Sequence, residues 1–141
     1  MKLLGDILVD RNIASRKQVQ QALNEQKRGN KDQYLGEILK QLGYVTDFDI
    51  MTALIIQQNL PYFAIEKYSV DKEILKLISK EDAIKHCVIP FAKVGDVLSI
   101  VMVDPSNKKQ NEVLERLTKC HIAPFIATRD QIEEAINNNY L

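Results

Sequence analysis

The sequence contains LLGDILVDRNIASRKQVQQALNEQ at residues 3–26 and a second version of the same pattern, YLGEILKQLGYVTDFDIMTALIIQ, at residues 34–57. Aligned without gaps, the two copies share a Leu-Gly pair near the start, an Ile-Leu pair after it and a glutamine at the end. Self-similarity at a fixed period indicates one supersecondary unit used more than once. Each copy predicts a short helix, a turn and a longer helix.

The longer helix of each copy ends its apolar stripe in an amide. At 100° per residue, Val19, Leu23 and Gln26 fall within about 60° of one another on a helix. An amide donates and accepts hydrogen bonds at once, which suits the edge of a guanine base. One such glutamine is usually only half-exposed and needs no function, so its recurrence is what favours a binding role. The equivalent residues of the second copy are Ile50, Leu54 and Gln57.

Each copy also places a glycine inside its short helix, at Gly5 and Gly36. A glycine in a helix costs roughly 1 kcal/mol relative to alanine, so two equivalent glycines indicate that something approaches the backbone closely. A second helix and a bound ligand both explain that approach. Helix packing is the commoner of the two.

Together these motifs resemble the MshEN-type amino-terminal domain of type II secretion and type IV pilus assembly ATPases. The resemblance continues through Leu60-Pro61-Tyr62, Ile89-Pro90, Asp104-Pro105 and the closing segment 132–140. It implies a non-catalytic regulatory or docking domain. The implied partners are the ATPase motor domain, in cis or in trans, and an inner-membrane assembly protein of the secretion system.

In this family the paired motifs can bind cyclic di-GMP, which the resemblance implies as an alternative function. The carried-over contacts would form a nucleotide groove. They fall on Leu4, Gly5, Leu8, Val19, Leu23 and Gln26 of the first copy, and on Leu35, Gly36, Leu39, Ile50, Leu54 and Gln57 of the second.

This chain departs from the ligand-binding members at one position in each copy. Those members have an arginine before each Leu-Gly pair, and the arginines contact the nucleotide. Here Leu3 and Tyr34 occupy these positions, with Lys2 and Gln33 as the nearest polar residues. Neither leucine nor tyrosine has the planar fork of donors with which arginine recognises phosphate. Docking is therefore the first expectation and cyclic di-GMP binding the second.

The composition agrees with a regulatory domain that binds neither nucleic acid nor lipid directly. Among 141 residues there are 19 basic and 19 acidic ones, and no basic run favours a phosphate-tracking surface. No apolar run approaches the roughly 18 residues of a membrane helix. Asp6 and Asp10 interrupt the first apolar segment, unlike a signal peptide. We expect a cytoplasmic location, with recruitment to the inner membrane by a partner.

The sequence predicts neither catalysis nor a metal site. It lacks the Gly-x-x-x-x-Gly-Lys-Ser/Thr phosphate loop of an ATPase. The pairs His86-Cys87 and Cys120-His121 are zinc-ligand types, but neighbours on a strand point to opposite faces. Each pair then offers one ligand to a common point, fewer in total than the four of a structural zinc site. No cofactor is expected beyond cyclic di-GMP as a ligand.

The fold class predicted for the whole chain is α+β. Residues 1–59 form the tandem helical repeat, with four helices in two hairpins, residues 60–70 a connector, and residues 71–141 a small α+β subdomain with a three-stranded sheet and flanking helices. Capping boxes at Ser15 and Thr46 predict where the two long helices begin.

The strands of the second half are predicted by a change of period. β-branched apolar runs at 87–92 and 97–103 flank Gly95-Asp96, a turn that predicts an antiparallel hairpin. A third strand at 121–127 follows a helix and must come back across it. A capping box at Thr128 predicts the start of the final helix.

Overall fold

The computed structural model describes residues 2–29 and 33–141 of the chain. It divides into two compact units, Met1–Asn59 and Leu60–Leu141. The first unit is helical, and the second carries a three-stranded sheet with flanking helices. The α+β class is therefore confirmed. The division of the second half into a connector at 60–70 and a subdomain at 71–141 stays a prediction.

Four helices make up the described part of the first unit. Both long helices begin at the predicted capping boxes, with Ser15 accepting from the Gln18 amide and Thr46 accepting from the Asp49 amide. The turn predicted around Gly29-Asn30 lies largely outside the described residues. The helices are α1 (Leu4–Asp10), α2 (Arg16–Arg28), α3 (Leu35–Gln41) and α4 (Asp47–Gln58).

The two copies turn between their helices in the same way. Asn12 has a φ of 58°, and Gly43, its equivalent in the second copy, has a φ of 80°. Asparagine and glycine are the residue types that adopt this left-handed conformation most readily. The closing hydrogen bonds are also equivalent: Ile13 N to Leu8 O at 2.9 Å, and Tyr44 N to Leu39 O at 3.0 Å. The sequence repeat is thus a repeat of backbone structure.

The long helix of each copy packs against the short helix of the other copy. Helix α2 contacts α3, and α4 contacts α1, while α1 also touches α2 and α3. Paired residues of the two copies fill the space between the helices, because the same positions face inward in each copy. The buried apolar cluster comprises Ile7, Leu8, Ala14, Val19, Ala22, Ile38, Leu39, Val45 and Ala53.

The second unit is built on the sheet. Helix α6 (Lys80–His86) begins after Ser79, whose side chain accepts from the Asp82 amide. No helix in the described parts of the chain is both long and apolar enough to cross a membrane. The elements are a 3-10 turn (Ile65–Lys67), α5 (Lys72–Leu75), α6 (Lys80–His86), β1 (Val88–Val94), β2 (Val97–Met102), α7 (Lys108–Thr118), β3 (His121–Ile126) and α8 (Arg129–Asn139).

The sheet has the order β1-β2-β3. Strands β1 and β2 are antiparallel, as predicted, and Gly95 makes the turn with a φ of 61°. Strand β3 runs parallel to β2, which the intervening α7 permits. Helix α8 begins at the predicted capping box of Thr128 and covers the sheet with Ile132 and Ile136.

The segment just before α5 packs closely within the second unit. Phe63 N donates to Ile126 O at 3.1 Å, and Ile126 N donates to Pro61 O at 3.0 Å. The rings of Phe63 and Phe91 stack with centroids 4.2 Å apart. Ile65 is fully buried in the core of the same unit. The two backbone hydrogen bonds extend the sheet at the carboxyl end of β3.

Candidate functional site

The twelve positions of the candidate groove all lie on the helices of the first unit, but they differ in accessibility. Six are half-buried and present surface to a bound molecule: Leu4, Leu23, Gln26, Leu35, Ile50 and Gln57. The other six are buried: Gly5, Leu8, Val19, Gly36, Leu39 and Leu54. The buried members act through packing, so a ligand in the groove would touch mainly the half-buried set.

Both glycines are explained by close packing of helices inside each copy. A Cβ added to Gly5 would lie 2.8 Å from Cγ1 of Val19. A Cβ added to Gly36 would lie 3.1 Å from Cγ2 of Ile50, the residue equivalent to Val19. The group that approaches each glycine is therefore a side chain of the same copy's long helix.

The two glutamines already donate hydrogen bonds to the protein. Gln26 Nε2 lies 2.8 Å from the carbonyl oxygen of Gln33, and Gln57 Nε2 lies 3.1 Å from that of Lys2. Lys2 and Gln33 are themselves equivalent residues of the two copies. A glutamine amide has two N–H groups and an oxygen with two lone pairs, so each side chain has one donor engaged. Gln57 Oε1 also accepts from Gln58 Nε2 at 3.4 Å.

Leu3 and Tyr34 precede the short helices at equivalent places and have nearly the same backbone conformation. They are the residues just before α1 and α3, with φ and ψ of −71° and 150° for Leu3 and −75° and 152° for Tyr34. Their side chains are 71% and 43% exposed. The surface beside the Leu-Gly pairs is therefore apolar and aromatic at the positions where the ligand-binding members of the resembling family have arginines.

Lys2, which precedes the first Leu-Gly pair, is held by a carboxylate. Lys2 Nζ makes a short ion pair with Asp10. The hydrogen bond from the Lys2 ammonium, together with its charge, lowers the pKa of Asp10 from its usual value. Lys2 therefore points its charge to α1 rather than standing in for an arginine fork.

A second cluster of polar residues lies at the hairpin end of the sheet. Of its members, the sequence analysis singled out only Cys120 and His121, as zinc-ligand types. His121 Nε2 lies 3.6 Å from Asp96 Oδ2, and His121 Nδ1 lies 3.7 Å from Glu115 Oε2. With Lys119 and Cys120 they line an open cavity of about 320 Å³. Within the described residues, no three potential ligands come together in a metal-binding arrangement. The side chain of His121 is 76% exposed, so its ion pairs are solvated.

The other pair of zinc-ligand types, His86-Cys87, lies at the junction of α6 and β1. Cys87 is buried and ends α6 with a φ of 51°. Cys120 is also buried, and its Sγ donates to Thr118 O at 3.3 Å. Neither cysteine takes part in a disulfide.

The hydrogen-bond partners of Gln26 and Gln57 could not be predicted from the sequence. The spacing placed Gln26 and Gln57 at the ends of stripes but gave no sign that each amide reaches the main chain of the other copy. The register of the repeat was the available signal, since the alignment that pairs the two glutamines makes Lys2 and Gln33 equivalent as well.

A family model and a curated relative match this chain. The MshEN domain model matches residues 58–141, which include the whole second unit. The type IV pilus assembly ATPase PilB of Myxococcus xanthus (strain DK1622) is 32% identical over 137 residues. The match covers 97% of this chain and 24% of PilB, so the chain spans about a quarter of the length of that relative.

Solved structures match over the full length. MshE, in a structure with cdg, is 30% identical, has a TM-score of 0.81, and is covered completely by a match to 99% of this chain. The N-terminal domain of XpsE has the same TM-score of 0.81 at 16% identity, with both chains fully covered. At that identity the XpsE likeness speaks for the fold alone.

Proposed function

The chain belongs to the MshEN domain family, and from this premise we propose that it is the non-catalytic amino-terminal domain of a type II secretion or type IV pilus assembly ATPase. Its work would be to dock the motor onto the machinery that the motor drives. The single observation that carries the proposal is the full-length likeness to MshE at 30% identity. The 32% identity to PilB supports the same placement.

The assignment to a non-catalytic role rests on the chemistry of the chain itself. Phosphoryl transfer needs a loop that cradles the nucleotide phosphates and positions a lysine and a metal ion. The 141 residues contain no such loop. We therefore assign ATP hydrolysis to a motor domain, in cis or in trans, and give this chain a binding role.

The exposed surface of the first unit favours a protein partner over a nucleotide. Among the described residues of this unit, four large apolar side chains are exposed: Leu3 (71%), Tyr34 (43%), Phe48 (61%) and Ile56 (40%). Exposed apolar groups are typical of protein interfaces, where aromatic side chains supply much of the binding energy. We propose that this unit contacts the motor domain or the cytoplasmic part of an inner-membrane assembly protein. A partner of this kind would bring the chain to the membrane, from a cytoplasmic location.

A pull-down with purified components tests the docking proposal. The motor domain and the cytoplasmic part of the assembly protein, both from the source organism, serve as separate baits. We expect at least one bait to retain the chain and Leu3→Asp to weaken retention by about tenfold, because burying an unpaired carboxylate in an apolar interface is costly. The matched control is Val94→Asp in the second unit, where Val94 is 82% exposed. Retention by neither bait would overturn the proposal.

Cyclic di-GMP binding is the second candidate, and the structure of MshE with cdg, at 30% identity over nearly the whole chain, is the observation that favours it. The half-buried glutamines and leucines of the groove suit a guanine edge and a base face. Leu3 and Tyr34, the residues before the two Leu-Gly pairs, weigh against cyclic di-GMP binding because neither has a guanidinium group. Each missing charge-assisted hydrogen bond to a phosphate is worth about 1.5–3 kcal/mol. Two such losses weaken binding by about two to four decades if they add.

A further inference from the structure

Two side-chain hydrogen bonds tie the copies of the repeat together in a crossed arrangement. Gln26, in the last turn of the long helix of the first copy, donates to the carbonyl of Gln33, just before the second copy, at 2.8 Å. Gln57, in the last turn of the long helix of the second copy, donates to the carbonyl of Lys2, just before the first copy, at 3.1 Å. The two donors occupy equivalent positions of the repeat, and so do the two acceptors, so the two bonds are equivalent.

We infer that Gln26 and Gln57 are positioning residues that brace the starts of the opposite copies and so fix Leu3 and Tyr34 in place. The functional side of this inference rests on the proposed docking role, because Leu3 and Tyr34 belong to the proposed docking surface. The structural side rests on the geometry of the two bonds alone. We call the pair of bonds the crossed brace.

The crossed brace completes the anchoring of the residue that caps the start of each short helix, Leu3 or Tyr34. The helix itself uses the carbonyl of that residue: Ile7 N donates to Leu3 O at 3.2 Å, and Ile38 N donates to Tyr34 O at 3.2 Å. The carbonyl one residue earlier lies outside the helix, and the glutamine of the other copy donates to it. Leu3 and Tyr34 therefore each lie beside two bonded carbonyls, and the two donors to those carbonyls come from different copies.

A side chain that merely ended its own helix would not show this pattern. The bond from Gln57 to Lys2 spans 55 residues and is not local capping, and the bond from Gln26 to Gln33, which spans seven, reaches the equivalent residue before the other copy. The helices also pack between the copies, since α2 contacts α3 and α4 contacts α1. The brace thus follows the crossed packing of the unit and makes each copy depend on the other for the position of its exposed first residue.

Amide hydrogen exchange followed by NMR on the full chain tests the brace. Gln57→Glu and Gln26→Glu keep the side-chain shape but remove the N–H donor, and Gln57→Met and Gln26→Met do so without adding charge. We expect the Gln57 variants to speed exchange of the Ile7 amide by about two- to tenfold and to leave Ile38 unchanged. The Gln26 variants should do the reverse. Gln20→Glu is the matched control, since Gln20 is exposed on α2 and bonds within its own helix to Asn24.

Three outcomes would overturn the crossed brace. Exchange could rise only in the copy that carries the substitution, rise equally in both copies, or stay unchanged in both. A rise of the expected size confined to the opposite copy in all four variants supports it.

Retention by the docking partner gives the functional readout. Gln57→Met should weaken retention at a temperature where the variant remains fully folded by circular dichroism, because Leu3 is no longer held. Retention equal to that of the unsubstituted chain, alongside crossed exchange, would remove the positioning role and leave a purely structural brace. If the unsubstituted chain binds no bait while exchange is crossed, the proposed function fails and the brace stands.

Discussion

Replacing Gly5 by alanine tests the tight contact between the helices of the first copy. The new Cβ would lie 2.8 Å from Val19 Cγ1, whereas carbon atoms in good contact are about 3.5–4.0 Å apart. Val19 is β-branched and stiff at χ1, so α1 and α2 must move apart to admit the methyl group. Overpacking of this kind costs about 1–3 kcal/mol, and the better helix propensity of alanine offsets about 1 kcal/mol of it.

The matched substitution in the second copy should be milder. In Gly36→Ala the nearest atom, Ile50 Cγ2, would be 3.1 Å away, a gap that a small shift relieves. We expect Gly5→Ala to lower the free energy of unfolding by about 1 kcal/mol and Gly36→Ala to change it by less than about half of that. Urea unfolding followed by helical circular dichroism measures both.

A double-mutant cycle separates the clash from other effects. Val19→Ala removes the methyl group that the new Cβ would meet, so Gly5→Ala should cost about 1 kcal/mol less in that background. If Gly5→Ala proves as stable as Gly36→Ala, or if its cost is the same with and without Val19, then close helix packing does not explain why both copies place a glycine at this position.

Two further predictions concern ionisation and catalysis. Burial raises the pKa of the Tyr140 hydroxyl, which donates to Ile78 O at 2.8 Å. The folded state therefore holds that proton where the unfolded state loses it, and stability should fall as the pH rises above about 10. Tyr140→Phe should flatten this decline in thermal melts between about pH 9 and 11, and an unaltered decline would contradict the assignment. Purified chain should neither bind nor hydrolyse ATP in a phosphate-release assay, and turnover that persists through repeated purification would refute the non-catalytic assignment.

Local signals accounted for much of the fold. The capping boxes at Ser15, Thr46 and Thr128 set helix starts because a cap is satisfied by residues three positions apart. The Gly95 turn fixed the hairpin for a similar reason, since a positive φ at a two-residue loop is a local requirement. Caps and turns, whose interactions join residues only a few positions apart, could thus be predicted from the sequence.

Contacts between distant residues could not be predicted. The hydrogen bond from Gln57 to Lys2 spans 55 positions and depends on how α4 packs against α1. The same is true of Phe63, which joins the end of β3 by pairing with Ile126. The candidate site shows the same limit: the family resemblance grouped twelve residues, but tertiary packing determined that half of them are buried.

Calorimetry with cyclic di-GMP distinguishes the two proposed functions. The tandem repeat would keep the shape of a nucleotide groove, whereas the exposed side chains of Leu3 and Tyr34 suit a protein partner. We predict no low-micromolar binding by the unsubstituted chain and a gain of binding in the Leu3→Arg, Tyr34→Arg double variant. Binding by the unsubstituted chain at low-micromolar concentration or tighter, abolished by Gln26→Ala or Gln57→Ala, would contradict the docking assignment.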